Sequence, residues 1–255
     1  MPDRELLKLL PNVLRARDFH LYLEGGIRLT DLWLFGGKAV LGHKPPGLLR
    51  ELKNAAERGL FSPFPHPLEK RLLKALGRLF PERVFRLYPD ESSLYRALEK
   101  AGFSDDNTKV SLWRPFLDMP EGIPIMIPVL PWPLGPAALV LDKSAETLFP
   151  AGELISPVLL APAVRALNNL MSCKRTVKYP RIDKALKNSL WHRQGIYLTC
   201  NLDKESYAAM FRRFLEGGFL IPPSPEEPAI LPSFMSKGEE TKLAEAFSAE
   251  SAIVL

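Results

Sequence analysis

The spacing of apolar residues divides the chain into short helices. Leu6, Leu7, Leu10, Val13 and Leu14 form one stripe at helical spacing, which predicts a first helix that Pro11 kinks. Capping residues and glycines mark the ends of most of the others. Further helices are predicted over 46–58, from Pro67, from Asp90 to Lys100, over 158–171, over 183–190, after Asp203 and after Ser236.

Runs of alternating or continuous apolar residues predict the strands. Residues 19–23 and 27–34 flank Glu24-Gly25-Gly26, which is typical of a hairpin. Ala137–Leu141 is apolar throughout, so we expect it to be buried on both faces, as in a parallel sheet. The other predicted strands are 84–88, 125–130, 195–202, 219–221 and 229–231.

The order of these elements predicts an α/β protein with a smaller α+β region at its C-terminal end. We expect residues 1–45 to be an N-terminal helix and β-hairpin segment. Residues 46–172 are predicted to form a reduced large α/β domain, and residues 173–255 a small C-terminal α+β domain.

Composition is that of a globular protein, since 46% of the 255 residues are hydrophobic and 25% are charged. No apolar run is as long as a membrane span, and the N-terminus does not resemble a signal peptide. The two cysteines, Cys173 and Cys200, are expected to be reduced rather than joined, and a cytoplasmic location is expected.

Basic residues are concentrated in one stretch. Residues 165–213 contain 11 basic and 3 acidic side chains, whereas the whole chain has a net charge of +5. Such a stretch can attract nucleic acid, anionic lipid or an acidic partner. No nucleic-acid motif accompanies it, so a solvated helix face with a basic loop is the preferred interpretation.

Three groups of motifs resemble class III (ornithine or glutamate-semialdehyde type) aminotransferases, which are fold-type I pyridoxal-phosphate enzymes. The first runs from Gly26-Ile27-Arg28-Leu29-Thr30-Asp31 through Leu41-Gly42-His43-Lys44-Pro45 to the segment 60–69. The second is Ile155-Ser156-Pro157 with its apolar helix, and the third is 192–198. The resemblance covers 1–102 and 153–250 and implies a fold-type I large domain followed by a small domain.

The resemblance also implies a phosphate-binding turn, which in the family opens a helix so that backbone N–H groups hold the anion. The matching positions are Asp90, Glu91 and Ser92. Two carboxylates there would repel a phosphate dianion. Asp90 is better interpreted as a helix cap, which leaves Ser92 and Ser93 as the candidate cofactor-binding hydroxyls.

Few residues of the chain match those that aldimine chemistry requires. Asp142 is the candidate for the acid on the pyridine nitrogen, and an aspartate that merely ends a strand is the alternative. The interval 143–155, where the resemblance places the Schiff-base lysine, contains only Lys143. The other lysines considered, Lys174, Lys178, Lys184 and Lys187, match no catalytic position. We expect no catalytic residue.

Two further kinds of site were considered. Arg193 is the candidate for binding a substrate carboxylate, or else a structural arginine at a domain boundary. His43 and His66 lie in proline-flanked turns and are expected to be structural, and no metal-ligand spacing is present.

Two hypotheses follow. The first is a catalytically degenerate aminotransferase homologue without a cofactor, kept as a binding or assembly module, with a homodimer expected and a protein partner allowed. The second is an enzyme of altered chemistry that still binds pyridoxal phosphate or another small anion. Neither requires a membrane, and nucleic acid is not favoured as a partner.

Overall fold

Two units make up the computed structural model, which describes residues 3–103, 109–173, 178–187 and 189–249. Unit 1 consists of residues 1–44 and 175–255, and unit 2 of residues 45–174. The predicted three-part division of the chain stays a prediction.

Helices and strands are interspersed along the described residues. The helices are α1 Arg4–Leu7, α2 Leu48–Glu57, α3 Pro67–Leu79, α4 Glu91–Lys100, α5 Pro157–Ser172, α6 Pro180–Leu186, α7 Lys204–Glu216 and α8 Lys237–Ala249. The strands are β1 Val13–Arg17, β2 His20–Leu23, β3 Arg28–Asp31, β4 Val84–Tyr88, β5 Val110–Trp113, β6 Ile125–Pro128, β7 Ala137–Leu141, β8 Trp191–Gln194, β9 Tyr197–Cys200, β10 Phe219–Leu220 and β11 Ala229–Ile230.

The described residues of unit 1 form two small sheets. One has the order β1-β2-β3-β10, in which β10 runs parallel to β3 and the other pairs are antiparallel. The other has the order β11-β9-β8 and is antiparallel. Buried aromatic rings fill the core, where Trp191, Phe214 and Phe247 contact one another with ring centroids 5.5–6.0 Å apart.

The N-terminal prediction was wrong beyond the first turn. The helix ends at Leu7, and Val13–Arg17 forms β1, which pairs with β2. Pro11 has no N–H to continue the helix, and pairing with a distant strand then outweighs the local helical spacing. The predicted hairpin that follows is confirmed, with Gly25 and Gly26 at φ +74° and +77° in its turn.

Within unit 2, the described strands form one sheet in the order β4-β7-β6-β5. All five residues of β7 are buried, as predicted. The expected parallel pairing was wrong, because β7 is antiparallel to both β4 and β6. Burial on both faces produces the same apolar run in either orientation, so the run does not report strand direction. The strand β5, parallel to β6, was not predicted.

Helices α2 and α3 pack on α5, whose start is fixed by two bonds to one carbonyl. The Ser156 hydroxyl donates to Leu60 O at 3.0 Å, and Val158 N donates to the same oxygen at 3.3 Å. Ser156 Oγ also accepts from Val158 N, which confirms the predicted cap.

No disulfide joins Cys173, which is partly exposed, to Cys200, which is buried. Within the described ranges, no helix is long and apolar enough to cross a membrane. The same residues contain no group of three or more His, Cys, Asp or Glu side chains that could hold a metal ion.

Candidate functional site

The turn between β4 and α4 is the predicted phosphate turn, and an aspartate occupies its helix end. Asp90 Oδ1 accepts a hydrogen bond from Ser93 N at 2.7 Å, so the carboxylate satisfies a backbone donor of the first helical turn. Glu91 adds a second acidic side chain to the same turn. The predicted cap is confirmed, and the positive end of the helix dipole faces carboxylates of the chain itself.

The two candidate serines differ in exposure. Ser92 is exposed, whereas Ser93 is 4% exposed. The Ser93 hydroxyl accepts a hydrogen bond from Arg96 Nη2 at 2.9 Å. The structure therefore brings Ser93 together with a guanidinium one turn along α4.

Asp142 lies at the other edge of the sheet. Because β7 is antiparallel to β4, Leu141 pairs with Val84 at the start of β4, and Ala137 pairs with Tyr88 at its end. Five strand residues span about 16 Å, so Asp142 is separated from the β4–α4 turn by roughly that distance. Asp142 and the two serines therefore cannot contact one small cofactor.

The surroundings of Asp142 are those of a capping residue. Its Oδ1 accepts from the N–H and the hydroxyl of Ser144, both at 3.1 Å. These bonds, with the nearby Arg83 guanidinium, hold the pKa of Asp142 below its usual value. Such an aspartate begins the 3-10 turn over Lys143–Leu148, which matches the alternative of an aspartate that simply ends a strand.

Lys143 points into solvent. Its side chain is 70% exposed and its Nζ lies 3.1 Å from Glu82 Oε2. No lysine in the described part of the chain is buried. Lys178, Lys184 and Lys187 are exposed, and Lys174 lies outside the described residues.

Arg193, in unit 1, is held by groups of its own unit. Its Nη1 donates to Asp183 Oδ1, and its Nε donates to Gly195 O at 2.7 Å. The carboxylate partner of Arg193 is thus supplied by the chain, which favours the structural interpretation of this residue.

The two turn histidines have local partners. His66 Nδ1 accepts from Leu68 N at 3.2 Å and so caps α3. His43 Nε2 lies 2.9 Å from Oδ2 of the buried Asp31, whose Oδ1 accepts from Trp33 N and Leu34 N. Both side chains therefore stabilise the turns in which they lie.

A cavity that the sequence did not predict lies on the flank of α4. It has a volume of about 290 Å³ and opens between α4 and residues 148–153. Tyr88, Ser93, Arg96, Lys100 and Glu153 supply its polar lining. The one signal in the sequence was the spacing of Arg96 and Lys100, which places both on one face of the helix.

Residues 150–153 lie against β4 through backbone contacts. Glu153 N donates to Leu87 O at 2.8 Å, and Arg86 Nε donates to Pro150 O at 2.8 Å. A Cβ at Gly152 would lie 2.6 Å from Leu87 O, so only glycine allows this approach. These contacts fix the wall of the cavity that faces α4.

Comparison with known sequences identified uncharacterised relatives. No family model matches the chain. An uncharacterised protein of Treponema pallidum is 25% identical over 281 residues, covering 90% of this chain and 91% of that protein. An uncharacterised protein of Borreliella burgdorferi is 28% identical over 257 residues, covering 94% of this chain and 91% of that protein.

Comparison with solved structures identified aminotransferases. The ornithine δ-aminotransferase of Plasmodium falciparum matches with a TM-score of 0.69 and 12% identity, covering 94% of this chain and 92% of that one. An ω-transaminase of Sphaerobacter thermophilus gives 0.69 and 10%, covering 95% and 91%. N-acetylornithine aminotransferase of Stenotrophomonas maltophilia gives 0.66 and 13%, covering 98% of each chain. The predicted resemblance is therefore confirmed at the level of the fold: the chain is similar to class III aminotransferases.

Proposed function

We propose that the chain is a catalytically degenerate aminotransferase homologue that serves as a binding or assembly module. The observation that carries the proposal is the carboxylate of Asp90 at the start of α4, 2.7 Å from Ser93 N. A phosphate dianion at that helix end would displace this cap and meet the charge of Glu91. Repulsion between like charges at close range in a partly buried site opposes anion binding by on the order of several kcal/mol. That is on the order of the attraction that the helix N-terminus offers a phosphate.

The residues present do not fit pyridoxal phosphate in two further respects. Asp142 lies about 16 Å from the β4–α4 turn, as estimated from strand length. Lys143 lies at the same distant edge and pairs with Glu82. An aldimine lysine also needs a lowered pKa, which burial would supply, and the described lysines are not buried.

The assembly we propose is a homodimer. Phe61, Phe64 and Leu154 of unit 2 are 62%, 58% and 50% exposed. The carbonyl of Leu60, next to Phe61, is bound to Ser156 Oγ, so the 60–64 loop is attached to the start of α5 near Leu154. Large apolar side chains of this kind are typical of surfaces that a second protein copy covers.

One spectroscopic experiment tests the degenerate chemistry. The full chain is mixed with equimolar pyridoxal phosphate, its visible spectrum is recorded, and peptides are mapped by mass spectrometry after borohydride reduction. We expect no stable internal-aldimine band and only scattered labelling of surface lysines. Stoichiometric trapping on one lysine would favour the altered enzyme instead.

A second experiment tests the assembly. Light scattering should give a particle mass twice that of the single chain, which is 28.7 kDa. The double variant Phe61→Ser/Phe64→Ser should shift to the monomer, whereas Phe234→Ser, a change at a side chain that is 73% exposed in unit 1, should leave the dimer intact. A monomeric native chain contradicts the homodimer.

A further inference from the structure

Two basic side chains that form no ion pair with a described residue line the cavity on the flank of α4. Arg96 and Lys100 are one helical turn apart and both line it. No described residue forms an ion pair with Lys100 within 4.0 Å, and none does with Arg96. Three other basic residues of unit 2, Arg83, Arg86 and Lys143, have carboxylate partners, whereas Lys70, Lys74 and Arg78 of α3 form no ion pair with a described residue.

Arg96 is oriented before any ligand arrives. Its Nη2 donates to the hydroxyl of the buried Ser93 at 2.9 Å, which restricts the side chain to the cavity wall. A guanidinium carries five N–H groups, so this bond leaves donors available for a carboxylate. Fixing the side chain in advance reduces the entropy that binding would otherwise remove.

A buried hydroxyl at the same cavity lacks a partner. Tyr88 is 2% exposed, and among the described residues its hydroxyl has no hydrogen-bond partner. The hydroxyl has almost no accessible surface, so it lies beneath the cavity lining and is not contacted by a ligand in the cavity. Burial raises the pKa of Tyr88, opposed by Arg86 and reinforced by Glu153, so the phenol stays protonated at neutral pH and remains a donor.

The remaining lining restricts the ligand. Ala97, Ala101 and Leu148 provide apolar surface for a short hydrocarbon body. Glu153 stands on the opposite wall and repels a second negative charge. A cavity of about 290 Å³ is at the small end of ligand sites, which excludes large cofactors.

We infer that this cavity binds a small organic monocarboxylate. The carboxylate lies between Arg96 and Lys100, and the hydrocarbon body packs on Ala97 and Ala101. This inference rests on the proposed binding role and names its ligand class. The cavity lies along α4 and not at its N-terminus, where Asp90 is the occupant.

The direct test is titration of the full chain with butyrate, with binding measured by calorimetry and by changes in NMR amide shifts. We expect binding with Kd on the order of 1 mM, since a ligand of so few atoms has limited affinity. Succinate and inorganic phosphate should bind at least about threefold more weakly because of Glu153. Equal affinity for all three anions, or no binding of butyrate at tens of millimolar, overturns the inference.

Variants locate the site. Lys100→Met should weaken butyrate binding about fivefold, whereas Lys74→Met, the matched change at an exposed lysine of α3, should leave it unchanged. Tyr88→Phe should leave butyrate binding unchanged within about twofold, because the hydroxyl lies beneath the cavity lining. Equal losses from the Lys74 and Lys100 variants would indicate a diffuse charge effect and refute the site.

Glu153→Gln tests the selectivity. The variant should bind succinate as tightly as butyrate, and retention of the preference would contradict the role of Glu153. None of these measurements involves pyridoxal phosphate or a lysine adduct. A trapped aldimine would therefore contradict the proposed loss of aldimine chemistry and would say nothing about carboxylate binding. Failure to bind butyrate would contradict only the carboxylate site.

Discussion

The charged side chains at the start of α8 are paired with one another, whereas Lys100 on the flank of α4 forms no ion pair with a described residue. At α8, Ser236 Oγ accepts from Glu239 N at 3.2 Å and Glu239 Oε2 accepts from Ser236 N at 2.9 Å. The other Glu239 oxygen lies 2.8 Å from His20 Nε2 and 3.1 Å from Arg28 Nη2. Beside α4, neither Lys100 nor the hydroxyl of Tyr88, the last residue of β4, has such a partner among the described residues.

The difference separates polar groups that stabilise the fold from groups that the fold leaves without a partner. A fully paired cluster such as that of Glu239 contributes to stability, and removing one member leaves the others unsatisfied. An unpaired cluster contributes little to stability, so its residues can be changed without unfolding the chain. Substitutions should therefore affect stability at α8 and ligand binding at α4.

The largest effect should come from the apolar face of α8. Phe247 is fully buried against Trp191 and Phe214, so Phe247→Ala should lower the free energy of unfolding by about 3–5 kcal/mol. Chemical denaturation followed by circular dichroism measures the change. Phe234→Ala, at a side chain 73% exposed, should change it by less than about 0.5 kcal/mol, and comparable losses from both would show that α8 is not packed as described.

The next effect should come from Glu239. Burial opposes its ionisation, but hydrogen bonds from Ser236 and from His20 outweigh burial and lower the pKa of Glu239 to about 2. The folded pKa lies below the unfolded value of 4.5, so the stabilisation is complete above about pH 5 and is lost as the pH falls toward 2. Glu239→Gln should cost roughly 1–3 kcal/mol at neutral pH and should flatten this acid limb.

Denaturation curves at several pH values between 2 and 7 check this prediction. Glu245→Gln is the matched control, since Glu245 is an exposed glutamate of the same helix. An acid limb that persists unchanged in the Glu239 variant would assign the pH dependence to other carboxylates.

A smaller effect is expected at the cap of α4. Asp90→Ala removes the acceptor of Ser93 N and should cost about 1 kcal/mol. Asp90→Ser keeps a capping oxygen without the charge and should stay within about 0.5 kcal/mol of the native chain. Urea midpoints at neutral pH distinguish the two, and equal losses would show that the charge, not the cap, matters.

The smallest effect is expected at Tyr88 and has the opposite sign. Tyr88→Phe removes a buried hydroxyl that has no described partner, so the ligand-free chain should become more stable by up to about 1 kcal/mol. Thermal unfolding without and with butyrate measures this. A destabilised variant would mean that the hydroxyl is satisfied in the free protein, and the contrast with α8 would disappear.

Local patterns predicted the elements whose signals lie within a few residues. The caps at Asp90, Ser156 and Asp203 and the capping box at Ser236 are all present. Strand β4 has the predicted bounds, Val84–Tyr88. These features depend on backbone groups that must be satisfied by neighbours in the chain, so residue type and spacing are sufficient to predict them.

Features that depend on distant segments were not predictable in this way. The direction of β7, the pairing of Val13–Arg17 and the strand β5 are set by which partner lies alongside. Ser92, Ser93 and Asp142 were proposed together, and only the antiparallel register separates Asp142 from the serines. The cavity combines α4 with the 148–153 segment, which is about 50 residues away in sequence.

By itself, the sequence determined the helix caps, the apolar runs and the resemblance to aminotransferases, and it placed Asp90 and Glu91 at the turn where an anion would otherwise bind. The tertiary structure alone decided strand direction and which polar groups meet. Hydrogen bonding and capping act over one helical turn, whereas sheet register and cavity formation depend on segments joined only by folding. For that reason, Arg96 and Lys100 became recognisable as a site only once they were seen to line one cavity with Glu153.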